Sequence, residues 1–168
     1  MLEREIVYVT VPAFPVVVER VIHPELRGRP VVVAPLGASR SVVTALSSEA
    51  WNAGVLQECG HLIDWLTIHL YGHRYFLDGV DDYDAITATP ELFHRDMKAM
   101  AGQLDAYEAK APRKEPIRIS LEEWNDRHFR RGTLIRESPR NIVDPLFVCG
   151  VFNACHRLAP RVGMSNFV

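Results

Sequence analysis

Hydrophobic positions change their period several times along the chain, and each change marks an element. Ile6 to Val11 (IVYVTV) is a β-branched and aromatic run, which predicts a strand. Ala13 to Ile22 predicts a helix, with Pro15 in its first turn, where a missing N–H costs little. The HPELRGRP stretch is a turn-rich connector. Val31 to Val33 then predicts a buried strand ending at Pro35, and Ser41 to Leu46 another. Ser47 or Ser48 can cap a helix through Trp51, Val55 and Leu56. Ile63 to Leu70 (IDWLTIHL) predicts a strand, and Tyr71 to Ala88, with Asp78, Asp81, Asp82 and Asp84, a long loop. Thr89-Pro90 offers a cap followed by proline at the first helical position. Phe93, Met97, Met100, Leu104 and Tyr107 then recur at helical spacing. Ile117 to Leu121 predicts a strand. Asn141 can cap a last helix with Asp144 in its first turn and Val148, Val151, Phe152, Cys155 and Leu158 along it, ending before Pro160. Arg161 to Phe167 predicts a final strand. From Ser47 onward helix and strand alternate, which implies parallel βαβ units and an α/β class.

Length limits what that sheet can be. The chain has 168 residues, and a complete (β/α)8 barrel needs roughly 200 or more. Charge excludes other classes. Nineteen basic and 21 acidic side chains give a formal net charge of −2, so no global basic field invites nucleic acid or an anionic membrane. The three cysteines, Cys59, Cys149 and Cys155, cannot all pair and show no metal-knuckle spacing. The apolar run from Ile6 to Val18 is interrupted by Pro12 and Pro15 and is too short to span a bilayer. A cytoplasmic protein with no membrane segment, no metal and no cofactor is the expectation.

The densest chemistry lies in Ile117–Asn125, ISLEEWN preceded by IR. A short strand delivers Glu122, Glu123 and Trp124 at its C-terminal end, where parallel α/β folds bind ligands. Read as residues alone, this is a solvated acidic pair near a helix start or a carboxylate–tryptophan sugar site. ISLEEWN resembles the nucleophile strand of family 51 glycoside hydrolases, the α-L-arabinofuranosidases. Three further stretches resemble the same family in order and spacing: Cys59–Tyr71 (CGHLIDWLTIHLY), Asp84–Ala109, and Asn141–Val168. The resemblance covers about residues 54–168 and implies that Glu123 is the catalytic nucleophile. It implies that His69, Tyr71, Trp124 and Asn125 bind an arabinofuranosyl substrate. The chemistry implied is retaining hydrolysis, with a second carboxylic acid roughly 5–5.5 Å away. The family's acid/base glutamate lies in an Asn-Glu motif on an upstream strand, and this chain has no Asn-Glu dipeptide. Glu122 is a poor substitute, because neighbours on a strand point to opposite faces. Low turnover follows, since general acid help is worth typically 10²–10⁴-fold.

Residues 1–53 carry a different pattern. PELRGRPVVVAP followed by RSVVTALSSEAWNAGV resembles the opening of a Y-family DNA polymerase palm, a βαββα unit. That resemblance implies a metal-binding aspartate where this chain has Thr10, and another acidic position where it has Pro12. Mg²⁺ needs hard oxygen ligands, usually carboxylates, so the implied alternative is a non-catalytic protein associated with DNA repair. The two resemblances meet near Ser48–Val55 and divide the chain into 1–53 and 54–168. The expected architecture is a palm-like unit followed by the last three strands and helices of a barrel. Three barrel strands leave open edges, so a homo-oligomer completing the sheet is a further expectation. Remaining signals are read blandly. His69 and His73 make a weak zinc pair, the Asp81–Asp84 cluster reads as solvated loop, and Arg127, Arg130, Arg131, Arg136 and Arg140 as an exposed strand-to-helix loop.

Overall fold

A computed structural model describes residues 14–33 and 45–168. The expected Ile6–Val11 strand, Thr10 and Pro12, and most of the Ser41–Leu46 strand lie outside the described residues. The chain divides into two compact units, Met1–Gln57 and Glu58–Val168.

In the first unit, helix α1 (Phe14–Ile22) leads through a short 3-10 turn (Pro24–Leu26) to strand β1 (Val32–Val33). Strand β1 pairs antiparallel with β2 (Ala45–Leu46), and helix α2 (Ser48–Cys59) follows. Ser47 is the cap. Its hydroxyl accepts the Ala50 N–H at 3.2 Å and the Val31 N–H at 3.0 Å, so one side chain closes the helix start and ties it to the strand connection. Arg20 of α1 donates to Glu49 at 2.8 Å and to the Leu26 and Arg29 carbonyls. Burial opposes ionisation of Glu49, but Arg20 and neighbouring donors still hold its carboxyl below the ordinary value.

The second unit is mixed α/β with an open, mainly parallel sheet that is not closed into a barrel. Its elements are β3 (Trp65–Arg74), α3 (Tyr83–Glu108), β4 (Arg118–Arg130), β5 (Thr133–Ile135), α4 (Val143–Arg157) and β6 (Val162–Phe167). Strand β4 is central. It pairs parallel with β3 on one side, and on the other with β6 in parallel and then with β5 antiparallel. Helices α3 and α4 cover one face. Phe93, Met97 and Leu104 of α3 and Phe147 and Val151 of α4 are buried against Ile119, Leu121 and Trp124. Two close approaches lock this layer. A Cβ on Gly150 of α4 would meet the Pro90 ring at 2.6 Å, and one on Gly72 of β3 would meet Phe147 at 3.1 Å.

Three expectations are corrected here. The stretch Tyr71–Ala88 is not a loop: β3 continues to Arg74, and α3 begins at Tyr83. Thr89-Pro90 does not start the helix. The Thr87 and Thr89 hydroxyls donate back to the Tyr83 and Ala85 carbonyls, each at 2.8 Å, as residues inside a helix do. Pro90 sits within α3, buried against Gly150. Of the five arginines, Arg136 and Arg140 lie in the exposed connection from β5 to α4 as expected, but Arg127, Arg130 and Arg131 do not. Strand β4 runs on through Arg127 to Arg130, Arg131 and Gly132 turn with positive φ, and β5 returns. The core-facing positions there are Asp126 and His128, so the strand lacks a hydrophobic stripe for the eye to follow. At α4 the Asn141 cap is present. Its side chain accepts the Val143 N–H at 3.0 Å while Asp144 accepts the Asn141 N–H at 2.6 Å, a reciprocal pair that closes the helix start.

Candidate functional site

Residue parity along β4 decides which groups meet. Up to Leu121 the odd positions face the helices, since Ile119 and Leu121 are fully buried; beyond it Trp124, Asp126 and His128 take that role. The switch occurs at Glu122. Ile68 pairs with Leu121, but His69 pairs with Glu123, and β6 steps two residues while β4 steps three between Leu121 and Trp124. Glu122 is thus the extra residue of a β-bulge against both neighbouring strands, a device that re-aims side chains beside a site. The premise that Glu122 and Glu123 must diverge fails for this reason. His69 contacts both, with Nε2 3.5 Å from Glu122 and Nδ1 3.6 Å from Glu123.

On the face away from the helices, Tyr71 donates its hydroxyl to Glu123 Oε2 at 2.8 Å; Glu123 lies in the middle of β4 and not at its C-terminal end, because the strand runs on to Arg130. Glu123 remains 44% exposed, so its carboxylate is held yet open to a ligand. The Arg127 guanidinium lies over the Tyr71 ring, 3.4 Å from its centroid. Asn125 follows on β4, donating to the Val168 carbonyl and accepting the Asp126 N–H. His73 packs edge-on against Phe129. Burial, and then the charge of Arg127, push its imidazole below the ordinary value. Trp124 stands apart from this group. Its ring is fully buried among Phe147, Phe152 and Phe167, and its indole N–H donates to Ser165 at 2.8 Å. The structure therefore gathers Glu123, Tyr71, His69 and Asn125 on one face and places Trp124 on the other.

A pocket of about 350 Å³ adjoins the Tyr71 side of this group, lined by Tyr71, Asn125, Arg127, Arg136, Arg140 and Val168 with Asp126 and His128 at its base. Below it runs a buried ionic network that the residue pattern did not reveal. Arg74, 1% exposed, donates to Asp144 at 2.9 Å and to Asp82 at 3.4 Å. Asp82, read as solvated, is buried and also accepts the Tyr75 N–H. His128 Nε2 lies 2.8 Å from Asp126 and 3.1 Å from Asp144, and its Nδ1 meets the Ser138 hydroxyl. Arg140 reaches Asp126 at 2.9 Å and Asp144 at 3.2 Å. Burial raises Asp126, reinforced by its bond to Asp144. Burial works against Asp144 too, but bonds from Asp126, the Asn141 N–H, Arg140 and Arg74 outweigh it and hold that carboxyl well below the usual range. One atom each from Asp126, His128 and Asp144 lies within 4.8 Å of the others, a spacing that suits a metal ion. In this structure guanidinium groups from Arg74 and Arg140 already neutralise those donors, which makes the cluster a structural ion network. The only advance signal was the pair of cap residues Asn141 and Asp144.

Residues 9–59 match the family model for impB/mucB/samB, the Y-family polymerase group. Among solved structures, an α-L-arabinofuranosidase from Thermotoga maritima in complex with arabinose is 27% identical with a TM-score of 0.58, over 73% of this chain and 23% of that one. A second arabinofuranosidase structure is 28% identical with a TM-score of 0.59, over 73% of this chain and 24% of that one. The chain thus resembles arabinofuranosidases over 73% of its length and, at residues 9–59, Y-family polymerases. The chain spans about a quarter of the length of the arabinofuranosidases it matches.

Proposed function

We propose that the second unit is the nucleophile-bearing part of an arabinofuranosidase-like glycoside hydrolase site. The observation that supports this most directly is the 2.8 Å hydrogen bond from Tyr71 to Glu123 across the parallel pair β3 and β4. A nucleophilic carboxylate must be ionised, reachable and oriented, and a phenol donating to one oxygen leaves the other free to attack. In this reading Glu123 attacks the anomeric carbon of an arabinofuranoside, the leaving oxygen departs, and a glycosyl ester forms on the carboxylate. His69, at ion-pair distance from both glutamates, orients them, and Asn125 and Tyr71 contact the sugar. No Asn-Glu acid/base motif stands in this chain, so natural substrates with poor leaving groups turn over slowly. An aryl α-L-arabinofuranoside with an activated leaving group tests this. Slow release that disappears in Glu123→Gln is expected, and fast release that survives the substitution would contradict it.

The match at residues 9–59 favours a second reading, a non-catalytic, DNA-associated role for the first unit. Thr10 and Pro12 stand where polymerases of this type hold acidic residues, so polymerisation is not part of it. Salt-sensitive retention of duplex DNA in a gel-shift titration is its signature; no retention at low salt rejects it.

A further inference from the structure

The arginines after Glu123 have no place in the hydrolytic chemistry, yet they are not scattered. Arg127, Arg136 and Arg140 line one pocket with Tyr71 and Asn125. Their bonding states differ. Arg140 is committed to Asp126 and Asp144. Arg127 lies against the Tyr71 ring, and no carboxylate pairs with it among the described residues. A guanidinium stacked through its face keeps its in-plane N–H donors available. Arg136, just beyond β5, is exposed and has no protein partner among the described residues. Arg127 and Arg136, neither paired with a carboxylate among the described residues, therefore line one cavity of about 350 Å³, and guanidinium groups suit a carboxylate or phosphate. A polyanion is disfavoured by the net charge of −2.

We propose that this pocket takes an acidic sugar unit adjoining the arabinofuranosyl group at Glu123, with Arg127 and Arg136 holding its oxyanion. The proposal rests on the sugar-site reading of Glu123 and names its substrate class. The shared chemistry is a planar or tetrahedral oxyanion on a sugar ring, supplied by a uronate or by a sugar phosphate.

Calorimetric titration of the full chain with D-galacturonate, ribose 5-phosphate, L-arabinose, inorganic phosphate and a short single-stranded DNA tests it. At low salt, one of the two sugar anions binds roughly tenfold or more tightly than arabinose, as charge-assisted hydrogen bonds require. The preference identifies the anion, shrinks with added salt, and is lost in Arg136→Gln and in Arg127→Gln. Arg136 is exposed, so Arg136→Gln keeps the fold, which unchanged urea unfolding checks. Equal affinity for arabinose and both anions, or no binding at all, overturns the proposal. So does inorganic phosphate or DNA binding as tightly as the sugar anions, or a preference that survives both substitutions. Because covalent modification of Glu123 by a neutral arabinose-configured inhibitor needs no anion, it separates failure of this proposal from failure of the sugar site itself.

Discussion

Tyr71 is the side chain on which the Glu123 carboxylate leans. Its hydroxyl is the shortest contact Glu123 makes, and a hydrogen bond to a charged group is worth about 1.5–3 kcal/mol. Tyr71→Phe removes that donor and keeps the ring beneath Arg127. The expected outcome is a roughly tenfold or greater fall in the rate of covalent labelling at Glu123, with the urea midpoint of unfolding unchanged. A midpoint shift with an unchanged labelling rate would assign Tyr71 to stability instead. Glu123, His69, Tyr71 and Asn125 are named by the resemblance of ISLEEWN and CGHLIDWLTIHLY to family 51 glycoside hydrolases, and the structure brings them to one face. Trp124 was not placeable in that way. Which face it takes depends on whether β4 holds an extra residue at Glu122, and a one-residue change inverts every later side chain.

Among the elements, α3 and α4 were readable from their apolar spacing, whereas the ends of β3 and β4 were not. The reason is chemical. Gly72, Arg74, Asp126 and His128 occupy core-facing positions, and a polar core face satisfied by its own partners breaks the alternation on which strand prediction relies. Pro90 misled for a related reason: it marks a helix start in most contexts, but here its ring fills the space beside Gly150. That contact gives a sharp expectation. A methyl on Gly150 would come within 2.6 Å of Pro90, so Gly150→Ala overpacks the α3–α4 crossing and costs about 1–3 kcal/mol. Urea unfolding measures it. A neutral or stabilising result would mean that the two helices are not held at this distance.

For the molecule as a whole, stability is coupled to pH through the Arg74–Asp144 network. Asp144 has a folded-state pKa depressed below its unfolded value. Its contribution is therefore complete above the ordinary aspartate range, near ~4, and is lost as pH falls below it. Asp126 runs the other way, since a raised pKa contributes stability at low pH that is lost as pH rises through the raised value. The prediction is a urea midpoint that falls on acidification below about 4. Asp144→Asn flattens that limb and lowers neutral-pH stability by about 3–5 kcal/mol, because Arg74 is left buried with poorer compensation. An acid limb unchanged in the variant would exclude Asp144 as its source.

At this same scale, the fold class was legible from the alternation of helices and strands, and no helix among the described residues is long and apolar enough to cross a membrane. The two resemblances mark where chemistry is carried, and the second unit holds the one testable nucleophile. An arabinofuranose-configured inhibitor with an activated leaving group needs no acid catalyst to react. Intact-mass and peptide mapping after incubation measures the central claim most directly. The account predicts a single glycosyl adduct on Glu123, absent from Glu123→Gln. No adduct, or an adduct on another residue that persists in the variant, would contradict it.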